Sequence, residues 1–304
     1  MGLLDGKVVL VTGGGRGIGR ETAIIAAKHG AKVLVNDLGG DLHGQGADKA
    51  PAQEVVDIIR SAGGQAVANT DSVTDLAAVN GMVKQAMDEF GGLHAIANPA
   101  GILRDRMAHN MTEEEWDAIM TVHLRGHFNV VRASINHFRN QQDGCYLMFS
   151  STSGLIGNVG QTNYGAAKMG IAGLSRIIAM EGARNNVRSN AIAPGAATRM
   201  TDSVPRDEEA AKRREQMREM QSPVRPAELT VALMTDAAKN ISGQIFGAGG
   251  YNLSIFSQPR PIATYQREGG WDVNGIIKDF FPRAEKDYTP LGRTAPTPPV
   301  QVPA

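Results

Sequence analysis

The sequence predicts an α/β fold in which a doubly wound parallel sheet is covered by helices on both faces. Short apolar runs rich in β-branched residues alternate with helical patterns from residue 7 to about residue 250. Such runs are typical of buried parallel strands, and right-handed crossovers between them give a doubly wound sheet. The candidate strands are 7–12, 32–37, 65–70, 93–98, 144–150, 187–193 and 244–247.

The balanced composition gives no reason to expect a nucleic-acid or anionic-membrane partner. Lys plus Arg and Asp plus Glu both number 31 in 304 residues. The one cysteine, Cys145, lies in an apolar run, so we expect a buried thiol and neither a disulfide framework nor a metal cluster. No signal-like segment or membrane-spanning run is apparent, and the last three residues, VPA, are not a peroxisomal address. We therefore expect a cytoplasmic protein.

The first candidate strand, KVVLVT, leads through GGGRGIG into a helical pattern. This context favours a phosphate cradle over a plain glycine turn, although the spacing from Thr12 is TGxxxGxG and not GxGxxG. Gly13 permits a tight turn, and Gly17 and Gly19 let the backbone approach a pyrophosphate. Ile18 stands between those two glycines, and the following helix presents free N–H groups to the anion.

Two residues bear on the choice of nucleotide. Asp37 ends the second candidate strand, eighteen residues past Gly19. A carboxylate there accepts hydrogen bonds from ribose hydroxyls and repels a 2′-phosphate, which favours NAD. Arg16 argues the other way if it reaches a 2′-phosphate, and its alternative is a solvated side chain. We predict NAD because the carboxylate dominates.

Tyr164 and Lys168 are four residues apart in a helical pattern and therefore share a helix face, and Ser151 precedes the tyrosine by thirteen residues. A free tyrosine has a pKa of about 10, and a neighbouring cation lowers that pKa. The pattern predicts a general acid/base at Tyr164 with Lys168 lowering its pKa.

Two segments break the alternation and set the predicted domains. We expect one nucleotide-binding domain over 1–256, although two smaller domains are the alternative, and a partly irregular extension over 257–304. Residues 201–222 are charged and helical, which indicates either a flap over the site or a solvated surface helix. The extension holds eight of the fourteen prolines, and Trp271, Ile276, Ile277, Phe280 and Phe281 predict a short helix that packs on the body.

The ordered motifs resemble the short-chain dehydrogenase/reductase family over residues 7–250. They are TGGGRGIG, the strand-end Asp37, NPAG at 98–101, Ser151, YGAAK at 164–168 and PGAAT at 194–198. Other segments look like the (3R)-hydroxyacyl-CoA dehydrogenase domain of peroxisomal multifunctional enzyme type 2, in the 17β-hydroxysteroid dehydrogenase type 4 group. These are VNDLGGDLHGQG, AVANTDSV, NPAGILRDR, VHLRG and GNVGQTNYGAAK.

The resemblance implies a Rossmann-like NAD-binding enzyme and a role for each matching residue. Tyr164 becomes the general acid/base, Ser151 binds the substrate oxygen, and Lys168 holds the nicotinamide ribose. Asp71 contacts adenine beside Ser72, and Thr198 meets the nicotinamide carboxamide after Pro194 and Gly195. Asn98, Ala100 and Gly101 line the adenosine side of the cofactor.

Two positions depart from the family pattern. His123 replaces an asparagine that usually supports a water relay from the lysine, so it either supports that relay or packs the helix. Pro99 replaces the second asparagine of NNAG and removes a backbone donor.

The resemblance implies oxidation of a secondary alcohol, most simply a (3R)-3-hydroxyacyl-CoA from a fatty-acyl or steroid side chain. A free hydroxysteroid or small alcohol, an NADPH-dependent reductase and a silent NAD-binding scaffold remain alternatives. Five methionines form either an adaptable apolar wall or ordinary packing: Met107, Met111, Met200, Met217 and Met220. Four basic residues either contact CoA phosphates or form a solvated face: Lys212, Arg213, Arg214 and Arg218. Family helices near 113–138 and 161–185 imply a homodimer or homotetramer.

Overall fold

The computed structural model describes residues 2–41, 43–46, 48–196, 221–291 and 299–301. The chain divides into two compact units, Met1–Phe256 and Ser257–Ala304. In the first unit, eight strands form one sheet in the order β3-β2-β1-β4-β5-β6-β7-β8. The strands are β1 (Val8–Thr12), β2 (Lys32–Asn36), β3 (Gln65–Asn69), β4 (Ala95–Asn98), β5 (Gly144–Phe149), β6 (Val187–Gly195), β7 (Ile245–Gly249) and β8 (Asn252–Ile255).

The seven predicted strands are confirmed and pair in parallel, whereas β8 pairs antiparallel with β7 and was not predicted. All four residues of β8 are exposed, so the strand has no buried face to create a recognisable alternation. Gly250, at φ +60°, makes the tight connection between the two strands.

Helices cover both faces of the sheet, as the sequence predicted. Val9 and Val11 of β1 belong to one buried apolar cluster, whereas Val8 and Leu10 belong to another, because successive strand residues point to opposite faces. Among the described residues of this unit, the α-helices are α1 (Gly17–Lys28), α2 (Ala50–Ser61), α3 (Leu76–Phe90), α4 (Glu113–Ile119), α5 (Gly126–Gln141), α6 (Thr152–Leu155), α7 (Thr162–Gly182) and α8 (Val224–Met234).

The helical region that the family resemblance placed near 113–138 consists of two α-helices joined by a π-helical turn. Thr112 and Glu115 form a capping box that starts α4. A π-helical turn, Met120–Arg125, then separates α4 from α5. A π-helical turn changes which carbonyls the backbone N–H groups reach, and it often marks a functional site.

The second unit contains a short helical segment, as predicted from its apolar residues. It consists of α9 (Val273–Gly275), a π-helical stretch (Ile276–Phe280) and α10 (Phe281–Ala284). The ring of Phe280 contacts the rings of Tyr265 and Trp271. In neither unit do the described residues include a helix that is long and apolar enough to cross a bilayer.

Candidate active site

The glycine loop has the shape that a phosphate-binding turn requires. Gly13 and Gly17 adopt φ +58° and +52°, which glycine tolerates without strain. A Cβ at Gly19 would stand 2.1 Å from the carbonyl oxygen of Gly13, so α1 packs against the turn only with glycine there. Ile18 packs instead against the buried apolar cluster under the loop. These positions leave backbone, and not side chains, at the end of β1, which fits a pyrophosphate.

Asp37 lies beside this loop, at the end of β2. Its carboxylate accepts hydrogen bonds from the N–H of Gly15 at 2.9 Å and of Gly39 at 2.7 Å. A carboxylate has about four lone-pair sites, so it retains capacity for ribose hydroxyls. Arg16 is half-buried and donates one guanidinium N–H to the carbonyl of Gly40 at 3.1 Å. Its other donors remain available, so its contact with a nucleotide stays a prediction.

A network of amides follows β2 and β3 at the same edge. Asn36 donates to the side-chain oxygen of Asn69 at 2.7 Å and to the carbonyl of Asp71 at 2.8 Å. Asn69 in turn donates to the Asp71 carboxylate at 2.9 Å. Ser72 shares a 2.8 Å hydrogen bond with Thr74. The network fixes Asp71 in an exposed position, where a polar contact with a base is possible.

The end of β4 supplies the other wall of the nucleotide region. Thr12 donates to the side-chain oxygen of Asn98, and both residues are buried. Nδ2 of Asn98 has no hydrogen-bond partner among the described residues. A Cβ at Gly13 would stand 2.8 Å from Cα of Ala100, so the glycine turn and the residues after Pro99 are in close contact. The unpartnered buried donor and this close approach both fit a bound polar cofactor.

Ser151, Tyr164 and Lys168 converge at the carboxyl end of β5. Ser151 is the N-cap of α6, and its hydroxyl accepts the N–H of Ser153 at 3.1 Å. Tyr164 and Lys168 lie in the first two turns of α7 and are buried. Nζ of Lys168 donates to the carbonyl of Phe149 at 2.6 Å and stands 5.4 Å from the centroid of the Tyr164 ring.

The pKa of Tyr164 is raised in this structure, so the expected net lowering beside Lys168 is not found, and the effect of the ammonium during turnover stays a prediction. Burial raises the pKa of Tyr164 to about 12. The hydrogen bond with the Ser151 hydroxyl lowers this pKa, whereas the charge of Asp105 raises it further. Burial also lowers the pKa of Lys168 to about 7. The ammonium points at a backbone carbonyl, and desolvation therefore outweighs its attraction for a phenolate.

Comparison with known proteins agrees with this arrangement. Residues 7–209 match the model of the short chain dehydrogenase family. The chain therefore belongs to the short-chain dehydrogenase family. The fold prediction is confirmed independently by the crystal structure of a short chain dehydrogenase from Mycobacterium avium, which is 36% identical, has a TM-score of 0.82, and is matched over 95% of this chain and 98% of that one.

Two similar proteins differ in how much of their own length this chain matches. Peroxisomal multifunctional enzyme type 2 of Mus musculus is 52% identical over 200 residues, which is 66% of this chain but 27% of that enzyme. Hydroxyacyl-CoA dehydrogenase ChsB1 of Mycobacterium tuberculosis is 36% identical over 297 residues, which is 91% of this chain and 89% of that enzyme. This short-chain dehydrogenase is thus an oxidoreductase with hydroxyacyl-CoA dehydrogenase homologues.

His123 of this short-chain dehydrogenase is fully buried in the π-helical turn. Its Nε2 lies 3.1 Å from the N–H and 2.8 Å from the carbonyl oxygen of Ile102, and its ring meets the edge of Tyr164 with centroids 5.2 Å apart. Nδ1 lacks a hydrogen-bond partner in the described structure. Burial, with the charge of Lys168, lowers the pKa of His123 well below its usual range. The neutral ring packs against Tyr164. Its participation in a proton relay stays a prediction.

Two residues that the sequence patterns did not single out also organise the site. Asn163 is fully buried, accepts the N–H of Tyr164 at 2.7 Å and donates to the carbonyls of Arg104 and Glu115 at 2.9 and 3.1 Å. His127 is fully buried between α5 and β5. A polar residue inside an apolar helix face is the signal that singles out both.

The remaining predicted residues lie at the edge of the site, lie away from it, or fall outside the described residues. Pro194 and Gly195 end β6 at the same sheet edge, and Met107 is 47% exposed. Cys145 is buried in β5, as expected, and burial raises the pKa of its thiol to about 11. Thr198 and nearly all of the proposed flap, Met200, Met217, Met220 and the basic cluster Lys212, Arg213, Arg214 and Arg218 are outside the described residues. Within the described ranges, no group of three or more His, Cys, Asp or Glu side chains has a metal-binding arrangement.

Proposed function

We propose that this enzyme interconverts a (3R)-3-hydroxyacyl-CoA and the corresponding 3-ketoacyl-CoA with NAD. The observation that carries the proposal is the match to hydroxyacyl-CoA dehydrogenase ChsB1 over 91% of the chain, in a protein whose Ser151, Tyr164 and Lys168 meet at one sheet edge. The acyl chain is of fatty-acyl or steroid side-chain type. A free hydroxysteroid or other small alcohol is the alternative substrate.

The chain's residues handle the proton and the substrate oxygen. A bound nicotinamide nucleotide supplies the hydride acceptor for oxidation and the hydride donor for reduction. The Ser151 hydroxyl holds the substrate oxygen, and Tyr164 takes the carbinol proton in oxidation or gives it in reduction. The Tyr164 pKa of about 12 suits the donating role directly. In oxidation, added positive charge beside the hydroxyl is needed to lower that pKa.

The nucleotide site is proposed to combine the glycine loop (Thr12–Gly19), Asp37, Asp71–Ser72, the end of β4 and the end of β6. Thr198 joins this set by resemblance. Lys168 is proposed to hold the nicotinamide ribose, with Tyr164 beside it. These assignments are supported by the positions of the described residues at the carboxyl ends of adjacent parallel strands, where α/β sheets bind ligands.

Replacing Asp37 by Asn tests the nucleotide preference. The carboxylate disfavours a 2′-phosphate by charge repulsion, so we expect D37N to lower the ratio of NAD to NADP kcat/KM by at least about tenfold, or roughly 1.4 kcal/mol. Asp41→Asn, in the adjoining loop, is the control and should leave the ratio unchanged. An unchanged ratio in D37N would refute the role of Asp37.

Absorbance at 340 nm tests the substrate. A (3R)-3-hydroxyacyl-CoA and the same acid without CoA are compared, each with NAD and with NADP. NAD reduction that requires the thioester supports the proposal. Turnover of the free acid or of a hydroxysteroid would favour the alternative substrate. NADH binding without turnover of any alcohol would indicate a nucleotide-binding scaffold.

We also propose a homodimer or homotetramer located in the cytoplasm. Support for the assembly comes from exposed apolar side chains on α5 and α7, namely Phe128, Met169, Ile177 and Met180. Light scattering of the purified protein gives the mass in solution, and a monomer at micromolar concentration would reject the assembly. Cell fractionation tests the location.

A further inference from the structure

His127 lies in α5 and connects the π-helical turn to the end of β5. Its ring is 1% exposed at the first turn of α5. Nδ1 lies 2.7 Å from the carbonyl of His123 and therefore donates to it. Nε2 accepts the N–H of Phe149 at 3.3 Å. The neutral ring thus uses both nitrogens, one toward the π-helical turn and the other toward the end of β5.

The Phe149 backbone links this ring to Lys168. The N–H of Phe149 is held by His127, whereas its carbonyl receives the Lys168 ammonium at 2.6 Å. Ser151 follows two residues later, so the same stretch positions the proposed substrate contact. Burial, with the Lys168 charge, lowers the pKa of His127 to about 3, so the ring keeps its donor and acceptor at all working pH values.

We propose that His127 is a positioning residue that, by anchoring Phe149, fixes the carbonyl that holds the Lys168 ammonium at the active site. The inference rests on the proposed function in one respect, namely that Lys168 takes part in turnover. Loss of the Phe149 anchor releases the carbonyl, weakens its stabilisation of the ammonium and lowers the pKa of Lys168. A less charged Lys168 stabilises the Tyr164 phenolate less, and oxidation then requires a higher pH.

Two amide substitutions separate the functions of the ring nitrogens. His127→Asn places an amide N–H near the position of Nδ1 and keeps the contact with His123. His127→Gln places an amide oxygen near the position of Nε2 and keeps the contact with Phe149. His137→Gln is the matched control, because the His137 ring, on the same helix, donates to the carbonyl of Leu93 at 3.0 Å, far along α5 from the site.

The expected result is a pH profile that depends on the Phe149 contact. In H127N, kcat for oxidation falls by about tenfold or more at pH 7, KM for the acyl-CoA changes by less than about threefold, and the rise of kcat with pH moves to higher pH. H127Q and H137Q keep the wild-type profile. A common loss in H127N and H127Q with an unmoved profile, or a wild-type profile in H127N, overturns the proposal.

A second measurement does not need turnover. Protein labelled with ¹³C at lysine Cε is titrated by NMR, with Lys168→Met identifying the Lys168 signal. A lower Lys168 pKa in H127N than in H127Q supports the inference even if the wild type turns over no acyl-CoA, which would refute only the proposed function. Equal Lys168 pKa values in folded H127N, H127Q and wild type overturn it. Thermal unfolding establishes that each variant is folded.

Discussion

Burial sets the ionisation of the two most important side chains. Tyr164 keeps its proton to a pKa of about 12, and Lys168 loses its proton near pH 7. Each group is thus in the state that a desolvated site favours, and not in the charged state that oxidation requires. Burial therefore dominates the ionisation of both groups in this structure, and oxidation requires a further influence that lowers the pKa of Tyr164.

Removing the Tyr164 hydroxyl should separate binding from turnover. Tyr164→Phe keeps the ring contact with His123 but removes the proton-transfer group. We expect NADH affinity within about threefold of wild type and a loss of turnover of about 10²–10⁴-fold. Fluorescence titration and the 340 nm assay measure the two effects, with Tyr288→Phe as an exposed control. Turnover near the wild-type level would refute the assignment.

Lys168 should reduce stability for the sake of function. Its pKa of about 7 in the folded chain is below the ordinary 10.5, so the buried ammonium destabilises the fold most fully below pH 7. The penalty declines as pH rises from 7 to 10.5, where the unfolded chain also loses the proton. We expect Lys168→Met to be inactive and to raise the free energy of unfolding by roughly 2–4 kcal/mol at pH 6.

Urea unfolding at pH 6 and pH 9.5 measures this difference. The gain should shrink at the higher pH, and Lys239→Met, at an exposed lysine, should show no comparable dependence on pH. Destabilisation of K168M at pH 6 would mean that the hydrogen bond to Phe149 outweighs desolvation.

At the scale of elements, the segment after β4 is tied to the start of α7. Asn163 holds the carbonyl of Arg104, and Gln161 donates to the Asp105 carboxylate at 2.7 Å. Arg106 donates its N–H to the carbonyl of Gly160 at 2.8 Å. These contacts attach the NPAGILRDR motif directly to the helix turn that carries Tyr164, so the two motifs act as one structural element.

Asn163→Ala should loosen that element. The change removes the side-chain donor to the part-buried carbonyls of Arg104 and Glu115, and we expect a loss of about 2–4 kcal/mol of stability together with at least a tenfold fall in kcat. Denaturant unfolding and steady-state kinetics give both values. Asn158→Ala, which removes a single hydrogen bond from an exposed side chain to Gln161, should stay close to wild type. An N163A variant with wild-type kcat would show that the tie does not position Tyr164.

The sequence predicted most of this architecture because local patterns determine it. β-branched runs predicted the parallel strands, and the glycine spacing predicted the loop after β1. The antiparallel β8 was missed because it has no buried face. The direction of the Lys168 ammonium was missed as well, since i,i+4 spacing places two side chains on one face but says nothing about a carbonyl from β5. The hydrogen bonds from Asn163 to Arg104 and Glu115, and from the N–H of Phe149 to His127, join residues more than twenty positions apart, so no local pattern reveals these partners.

At the scale of the whole molecule, the first unit contains the sheet, the proposed site and its own core. Its four buried apolar clusters draw their members from residues 4–256. The second unit has a separate aromatic cluster around Phe280. Because a domain is defined by its own hydrophobic core, the first unit should fold by itself.

A chain ending at Phe256 tests this independence. We expect residues 1–256 to unfold cooperatively with a Tm within about 4 °C of the full chain and to bind NADH with similar affinity, because the core clusters and the proposed nucleotide site are retained. Residues 1–250 serve as the comparison, since that cut removes β8 and the antiparallel ladder that protects β7, and its Tm should be clearly lower. A 1–256 fragment that aggregates or unfolds without cooperativity would show that residues 257–304 complete the fold. A fragment that folds normally but no longer binds NADH would instead assign those residues to the nucleotide site.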